Sequence, residues 1–369
     1  MKKRTWQLPL AALVVASLVG AGLASARSDS KQLTKVTLQS KWVVQGQFAG
    51  YYVALAKGYY KQVGLDVTIK AGGPDIVPEQ VVLGRQAEFG IDWQGSLLSF
   101  RDKGNDLVNI APVFTRSGTT ELTWKDSGIS SFCGLKGKKV GVWTGGNEWE
   151  QYAALRKCGI EPTDKGQVTI VAQPFDMKLF LDRQIDAASA MTYNELAQVL
   201  EVKNPKTGKL YQLSDLNVFK YQSLGTGMLQ DGVFVRGDWI KDKKNQATAR
   251  KFLEASFKGW VYCRDHLNDC VNIVLKNGPT LGRGHQMWQV NEVNKLIWPA
   301  PKGIGIMDPV AAKRTADVAL QGKLIAKPPT TWYRADLAKA AVASLKKQHV
   351  DVVGKRYKPT NVTVTEGGK

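Results

Sequence analysis

Five aromatic residues recur at one kind of place in this chain. Trp42, Trp93, Trp143, Trp149 and Tyr193 each stand in or beside a loop that follows a short apolar run and leads into a helical pattern. Asp92, Asn147, Glu148, Asn194 and Glu195 share those loops, and Gln47 and Tyr51 follow the first run. Aromatic faces with a few amides and carboxylates suit a flat heteroaromatic molecule: rings stack on it and polar edges read its nitrogens. Core packing explains any single tryptophan equally well, but the set at the run ends favours a ligand. Asn194-Glu195 also has a plainer reading, Asn as a helix N-cap and Glu favoured by the helix dipole. Both roles are compatible. Asp92, Glu148 and Glu195 have the chemistry for general acid or base work. No nucleophile–base pattern, metal set or Gly-x-x-x-x-Gly-Lys phosphate loop accompanies them. Thr144-Gly145-Gly146-Asn147 is only a weak anion-site pattern. The expectation is a binding protein and not an enzyme, without cofactor or metal.

The elements that must position these residues alternate. Residues 35–42 read as a strand, 48–60 as a helix closed by Gly64, and 65–69 as a second strand, a βαβ unit. Strand patterns follow at 86–92, 107–114, 140–143, 168–172, 185–191 and 232–236. Helical patterns run through 94–103, 148–158, 177–183 and 193–201, and the pattern is mainly helical from Lys244 onward. Residues 357–369 carry no apolar period and are expected to fray. Such alternation argues an α/β fold with largely parallel sheets. In these sheets, small ligands bind outside the carboxyl ends of the strands. The loops after Leu38, Ile91, Val142 and Ala190 meet that rule, and each precedes a helix N-terminus with free N–H groups.

The start of the chain reads as an export signal. Lys2, Lys3 and Arg4 precede an apolar stretch, and Ala24-Ser25-Ala26 fits a small-x-small cleavage pattern. The mature protein is expected to begin near Arg27 and to work in the periplasm. Of 369 residues, 43% are hydrophobic and 22% charged, an ordinary globular balance long enough for two lobes. The net charge is +19, or +16 once the three cations of residues 1–26 are removed. The lysines are spread along the chain and no nucleic-acid motif appears, so nucleic acid is not an expected partner. Four cysteines in an oxidising compartment permit disulfides. Cys133 with Cys158 and Cys263 with Cys270 is the economical pairing among three connectivities. A zinc site at Cys263-Arg-Asp-His266…Cys270 is the rival and lacks a clear fourth ligand. His266, His285 and His349 are scattered and read as surface or locally bonded residues. A monomer is the default.

Several motifs together carry a resemblance. They are Trp42…Gly50-Tyr51-Tyr52-Val-Ala54…Gly58-Tyr59-Tyr60…Gly64-Leu65-Asp66-Val67, then Leu135-Lys-Gly-Lys-Lys-Val-Gly-Val-Trp143 and Ala190-Met191-Thr192-Tyr193-Asn194-Glu195. Gly305-Ile-Met-Asp308 and Gly322-Lys-Leu-Ile325 follow. Over residues 35–345 the chain resembles the thiamine-precursor-binding branch of the substrate-binding proteins of ABC importers. That branch is similar to the nitrate-, sulfonate- and taurine-binding proteins and to fungal hydroxymethylpyrimidine synthases. The resemblance implies a two-lobed periplasmic-binding-protein fold of type II with a ligand cleft between lobes. The implied parts are a signal peptide at 1–26, a first lobe from 27–118 and 229–350, a second lobe at 119–228 and a frayed tail at 351–369. Crossings are expected near 117–122 and 225–232. It also implies a pyrimidine-type ligand, with Trp42 stacking on its ring and Asn194 and Glu195 reading its nitrogens, and delivery to an ABC permease. Other members take riboflavin or other flat heterocycles. The fungal synthases consume a histidine and carry a cysteine-rich iron motif, and no such cysteine cluster occurs here.

Overall fold

The computed structural model describes residues 32–144 and 146–369. The expected signal peptide, residues 1–26 with its cleavage point after Ala26, lies outside the described residues, as does Gly145. In chain order the strands are β1 (Thr34–Gln39), β2 (Leu65–Lys70), β3 (Phe89–Asp92), β4 (Leu107–Pro112), β5 (Thr119–Trp124), β6 (Lys139–Val142), β7 (Thr169–Ala172), β8 (Ala187–Met191), β9 (Leu216–Lys220) and β10 (Gly232–Arg236). Helices of six or more residues are α1 (Ala49–Ala56), α2 (Pro78–Leu83), α3 (Gln94–Asp102), α4 (Trp149–Lys157), α5 (Glu195–Leu200), α6 (Lys243–Asp265), α7 (Leu267–Asn277), α8 (Arg283–Ile297), α9 (Pro309–Gln321) and α10 (Asp336–Lys347).

The strands form two five-stranded sheets of one design, β2-β1-β3-β10-β4 and β7-β6-β8-β5-β9. β1 runs parallel to β2 and β3, while β10 is antiparallel to β3 and β4. Likewise β6 runs parallel to β7 and β8, while β5 is antiparallel to β8 and β9. Each sheet thus takes its antiparallel strand from a segment that arrives from the other. Residues 113–118 and 221–231 make the two crossings between the sheets. The expected crossing at 117–122 is therefore corrected, because Thr119 to Leu122 lie inside β5. That strand escaped the sequence reading because it is Thr-Thr-Glu-Leu-Thr-Trp, polar in type yet buried along its whole length. Its central Glu121 is held through Oε2, which accepts from Tyr221 Oη at 2.8 Å and Gln151 Nε2 at 2.9 Å, while its buried Oε1 has no hydrogen-bond partner. Burial, against these bonds, pushes its carboxyl up to about 8.

The larger core lies under the first sheet, where the Phe89 and Phe252 rings stack at 4.0 Å. The long α6 is started by Asp242, whose carboxylate accepts the N–H groups of Lys244 and Asn245. α6 crosses α1 at two glycines. A Cβ on Gly50 would meet the Trp260 ring at 2.2 Å, and one on Gly259 would meet the Gly50 carbonyl at 2.0 Å. Trp260 is fully buried, so it has no room to yield. Gly50→Ala is expected to lower unfolding free energy by about 1–3 kcal/mol, measured by urea denaturation. Wild-type stability in that variant would show that the two helices can separate freely.

Both disulfides join the economical pairs, Cys133–Cys158 and Cys263–Cys270. The second ties the end of α6 to α7 and takes both cysteines of the zinc alternative. The expected fraying of the tail is corrected. The Thr360 N–H donates to Asn291 Oδ1 at 3.0 Å, the Gly367 N–H donates to the Glu201 carbonyl at 3.0 Å, and Val364 packs on the second sheet's core. The tail lacks an apolar period because it is held by backbone bonds from irregular chain. No helix among the described residues is long and apolar enough to cross a membrane.

Candidate functional site

The carboxyl ends of both parallel sets face each other, and a cavity lies between them. The turn after β1 brings Lys41, Trp42, Gln45 and Gln47, and the turn after β3 brings Trp93. From the second sheet come Trp143 after β6, Asn147 before α4, Phe175 after β7, and Met191, Tyr193, Asn194 and Glu195 at the end of β8. Of the residues expected from sequence, Trp42, Gln47, Trp93, Trp143, Asn147, Tyr193, Asn194 and Glu195 are thus brought together. Trp42 and Phe175 touch across the mouth with ring centroids 4.6 Å apart, tilted by 59°.

Three expected residues stand elsewhere, and each has a local cause. Tyr51 is a core residue on α1, packed between Phe252 and Trp260. It is one of six consecutive buried residues at the start of α1, and it does not line the cavity. Asp92 sits just beneath the lining, where its carboxylate binds Lys41 Nζ at 2.5 Å and the Trp93 N–H at 2.6 Å. Glu148 is turned to the backbone of its own loop, accepting the Gly146 N–H at 2.7 Å. Trp149, the fifth aromatic, packs with Tyr152 and not on this cavity.

The polar wall is built on Glu195. Its Oε2 accepts the Met191 N–H at 2.9 Å and its Oε1 accepts Asn194 Nδ2 at 2.6 Å. Asn194 starts α5 without a side-chain capping bond, so its amide serves Glu195 and not the helix end. Burial pushes the Glu195 carboxyl up to about 7, against these bonds. On the facing wall, Gln45 Nε2 donates to Gln47 Oε1 at 2.6 Å, and Gln47 Nε2 donates to Asp231 Oδ2 at 2.8 Å. Burial pushes Asp231 up to about 6. Lys41 Nζ lies 5.3 Å from the centre of the Trp93 ring.

Sequence reasoning missed Lys41, Gln45, Phe175, Asp231 and His285. The strand-end rule applied to the whole turn after β1 could have flagged Lys41 and Gln45, and applied to β7 it could have flagged Phe175. Nothing local marks His285, whose partners Glu201 and Asn194 lie 84 and 91 residues away.

Comparison with known proteins agrees with this architecture. The family model described as NMT1/THI5 like matches residues 45–268. A 4-amino-5-hydroxymethyl-2-methylpyrimidine phosphate synthase of Saccharomyces cerevisiae is 25% identical over 62% of this chain, and the match spans 66% of that relative's length, just under two thirds. The riboflavin-binding protein RibY of Chloroflexus aurantiacus is 24% identical over 83% of this chain and 86% of its own. Among solved structures, the periplasmic aliphatic sulphonate binding protein SsuA of Escherichia coli superposes with a TM-score of 0.60 at 13% identity, covering 89% of this chain and 94% of that one. That likeness is one of fold: two α/β sheets arranged as in periplasmic binding proteins. With the family model covering more than half of its length, the chain belongs to the NMT1/THI5-like family.

Proposed function

We propose that this protein is an extracytoplasmic substrate-binding protein of an ABC importer that captures a flat heteroaromatic molecule, a thiamine pyrimidine precursor being the leading candidate. One observation carries the reading: a buried carboxylate, Glu195, and a half-buried amide, Asn194, stand at the edge of a cavity whose other walls are Trp42, Trp93, Trp143 and Tyr193. Trp42 is the stacking platform. Glu195 accepts from an exocyclic amine, and Asn194 donates to the neighbouring ring nitrogen. A charge-assisted bond to a carboxylate is stronger than a neutral one, which gives orientation as well as affinity.

Capture is by closure. The ligand stacks on residues of the first sheet, the second sheet swings in about the two crossings, and a membrane permease receives the closed form. Ligand shifts the protein toward that form only by as much as it binds it better. Support comes from the contact of Trp42 with Phe175, which joins the two halves over the cavity. A riboflavin-type ligand is the second reading. It is favoured by the relative RibY, which matches over most of both chains, and by tryptophans on both walls.

A thermal-shift titration of the mature protein separates the readings, because a ligand that binds only the folded state raises its stability with concentration over affinity. The panel is hydroxymethylpyrimidine, its formamido precursor, thiamine, riboflavin, a sulfonate and nitrate. A shift with the pyrimidines alone is the expected result, and each compound is recovered unchanged. A shift with riboflavin alone moves the ligand to a larger ring. Turnover of any compound overturns the binding-protein reading.

A further inference from the structure

The last residues of the chain pass from one half of the molecule to the other. Val352 is buried in the core under the first sheet, and Tyr357 packs on that core. The Thr360 N–H then donates to Asn291 Oδ1, on α8, at 3.0 Å. Beyond that anchor the chain changes sides. Val364 packs on the second sheet's core, the Gly367 N–H donates to the Glu201 carbonyl at the end of α5 at 3.0 Å, and Glu366 pairs with Lys203 at 2.7 Å. Four residue steps join Thr360 to Val364, a reach of at most about 14 Å.

α8 runs beside this path and touches both walls of the cavity. Its Gln286 Oε1 accepts the Gly46 N–H, in the turn after β1, at 2.7 Å. Its Trp288 Nε1 donates to the Thr192 carbonyl, in the turn after β8, at 2.9 Å. Two glycines at the start of α8 let the tail lie against it. A Cβ on Gly284 would meet Thr365 Oγ1 at 2.2 Å, and one on Gly282 would meet the Gly368 carbonyl oxygen at 2.3 Å. Gly282 has φ −72°, which any residue adopts, so the approach of the tail, not backbone conformation, excludes a side chain there.

Resting on the capture-by-closure reading above, we propose that residues 358–369 are a closure strap, a third link between the halves whose docking on the second one holds the cleft shut. The two crossings are where the halves turn, and the strap joins the halves at a separate place, beside α8 and α5. A tether this short keeps the docking residues close to α5, so the closed arrangement is favoured before any ligand arrives. The contact of Trp42 with Phe175 across the mouth belongs to that arrangement. The Lys203 and Glu366 side chains are 53% and 63% exposed, so their pair adds little to the hold. The hold comes from Val364 against the second core and from the Gly367 backbone bond. Opening requires the strap to let go. It therefore sets the closed fraction of the unliganded protein, and with it how readily a ligand enters and leaves.

Pulsed electron spin resonance between nitroxides on Asp75→Cys and Lys178→Cys reads the cleft of the mature protein without ligand. Asp75 follows β2 and Lys178 follows Phe175, both are exposed, and the four native cysteines are held in disulfides and take no label. The otherwise unaltered chain is expected to give one narrow distance. Removing residues 358–369 should lengthen its mean by about 5 Å or more. Gly282→Ala, which presses only on the tail, should open the cleft in part and makes the same test should the truncated chain not fold. Eight Gly/Ser residues inserted after Asn361 keep every docking residue and remove only the short tether, and they too should open it. An unchanged distance in the truncated chain, or in Gly282→Ala where that alone folds, overturns the proposal. So does an opened truncated chain beside an unchanged distance in the lengthened one, because the tail then only covers the second core. No ligand enters these measurements, so they stay decisive if every compound in the titration above fails to bind.

Discussion

Replacing Lys41 with methionine is expected to remove about 3–5 kcal/mol of stability near neutral pH, the usual consequence of leaving a buried charge without its partner. Lys41 Nζ lies 2.5 Å from Asp92 Oδ1, and the Asp92 side chain is 4% exposed. Two further carboxyls stand behind it. Glu79 on α2 is wholly buried and neither of its oxygens has a well-formed hydrogen bond, with Ser96 giving minor support. Asp231 is buried and keeps Oδ1 without a partner. Burial opposes the charge on Lys41, but Asp92, and then Glu79 and Asp231, outweigh it and hold the ammonium above its ordinary range. Burial and then Asp92 push Glu79 well above the usual carboxylate range, and Lys41 pulls it back. One cation thus serves three carboxyls. Without it Glu79 and Asp231, which burial already raises, lose the charge that pulls them back and hold their protons to still higher pH. Stability from a raised carboxyl is present at low pH and lost as pH rises. The penalty of Lys41→Met should therefore be larger at about pH 8 than at about pH 5, and urea denaturation at both reads it. Adding Asp92→Asn should recover much of the loss, since removing both partners of a buried pair leaves no orphan charge. A single variant within about 1 kcal/mol of wild type at the higher pH would mean that water reaches these groups.

The same floor explains what sequence could and could not reveal. Runs such as Val36, Leu38 in β1 and Val140, Val142 in β6 are apolar because they are buried, so strand and helix alternation was legible, and with it the strand-end rule that found eight lining residues. β5 and β9 were not legible. Thr119 to Trp124 buries threonines and a glutamate whose partners, Tyr221, Gln151 and Ser189, come from three other segments. Periodicity sees apolar type, not satisfied polarity. Tyr51 failed for the converse reason: an aromatic after a strand end can be core, and the whole start of α1, Ala49 to Ala54, is buried. His285 shows the limit most clearly, because a lone histidine has meaning only through Asn194 and Glu201, which chain folding brings to it.

Glu195→Gln is expected to weaken binding of 4-amino-5-hydroxymethyl-2-methylpyrimidine by about 10–100-fold at pH about 8, the difference between a charge-assisted and a neutral hydrogen bond in a desolvated site. The same change should flatten the pH dependence of binding. Glu195 is 4% exposed, and burial pushes its carboxyl up to about 7 despite bonds from Met191 and Asn194 and the nearby His285. The folded value lies above the unfolded one, about 4.3 for a free glutamate. Its contribution to stability is therefore complete below the unfolded value and is lost as pH rises through about 7. Across that window the wild type should lose stability relative to Glu195→Gln. Binding runs the other way. A ligand amine needs the carboxylate, so below about pH 7 the complex forms only by releasing the Glu195 proton. The ratio of wild-type to variant affinity should rise with pH through that value and level off above it. Any titration of the ligand itself is common to both proteins and cancels in the ratio. Calorimetry in two buffers of different ionisation enthalpy counts the protons released, which should be close to one at about pH 6 for the wild type and none from this position in the variant. Parallel pH profiles for the two proteins would remove Glu195 from the ligand and leave it only the structural role of holding the Met191 and Asn194 turn.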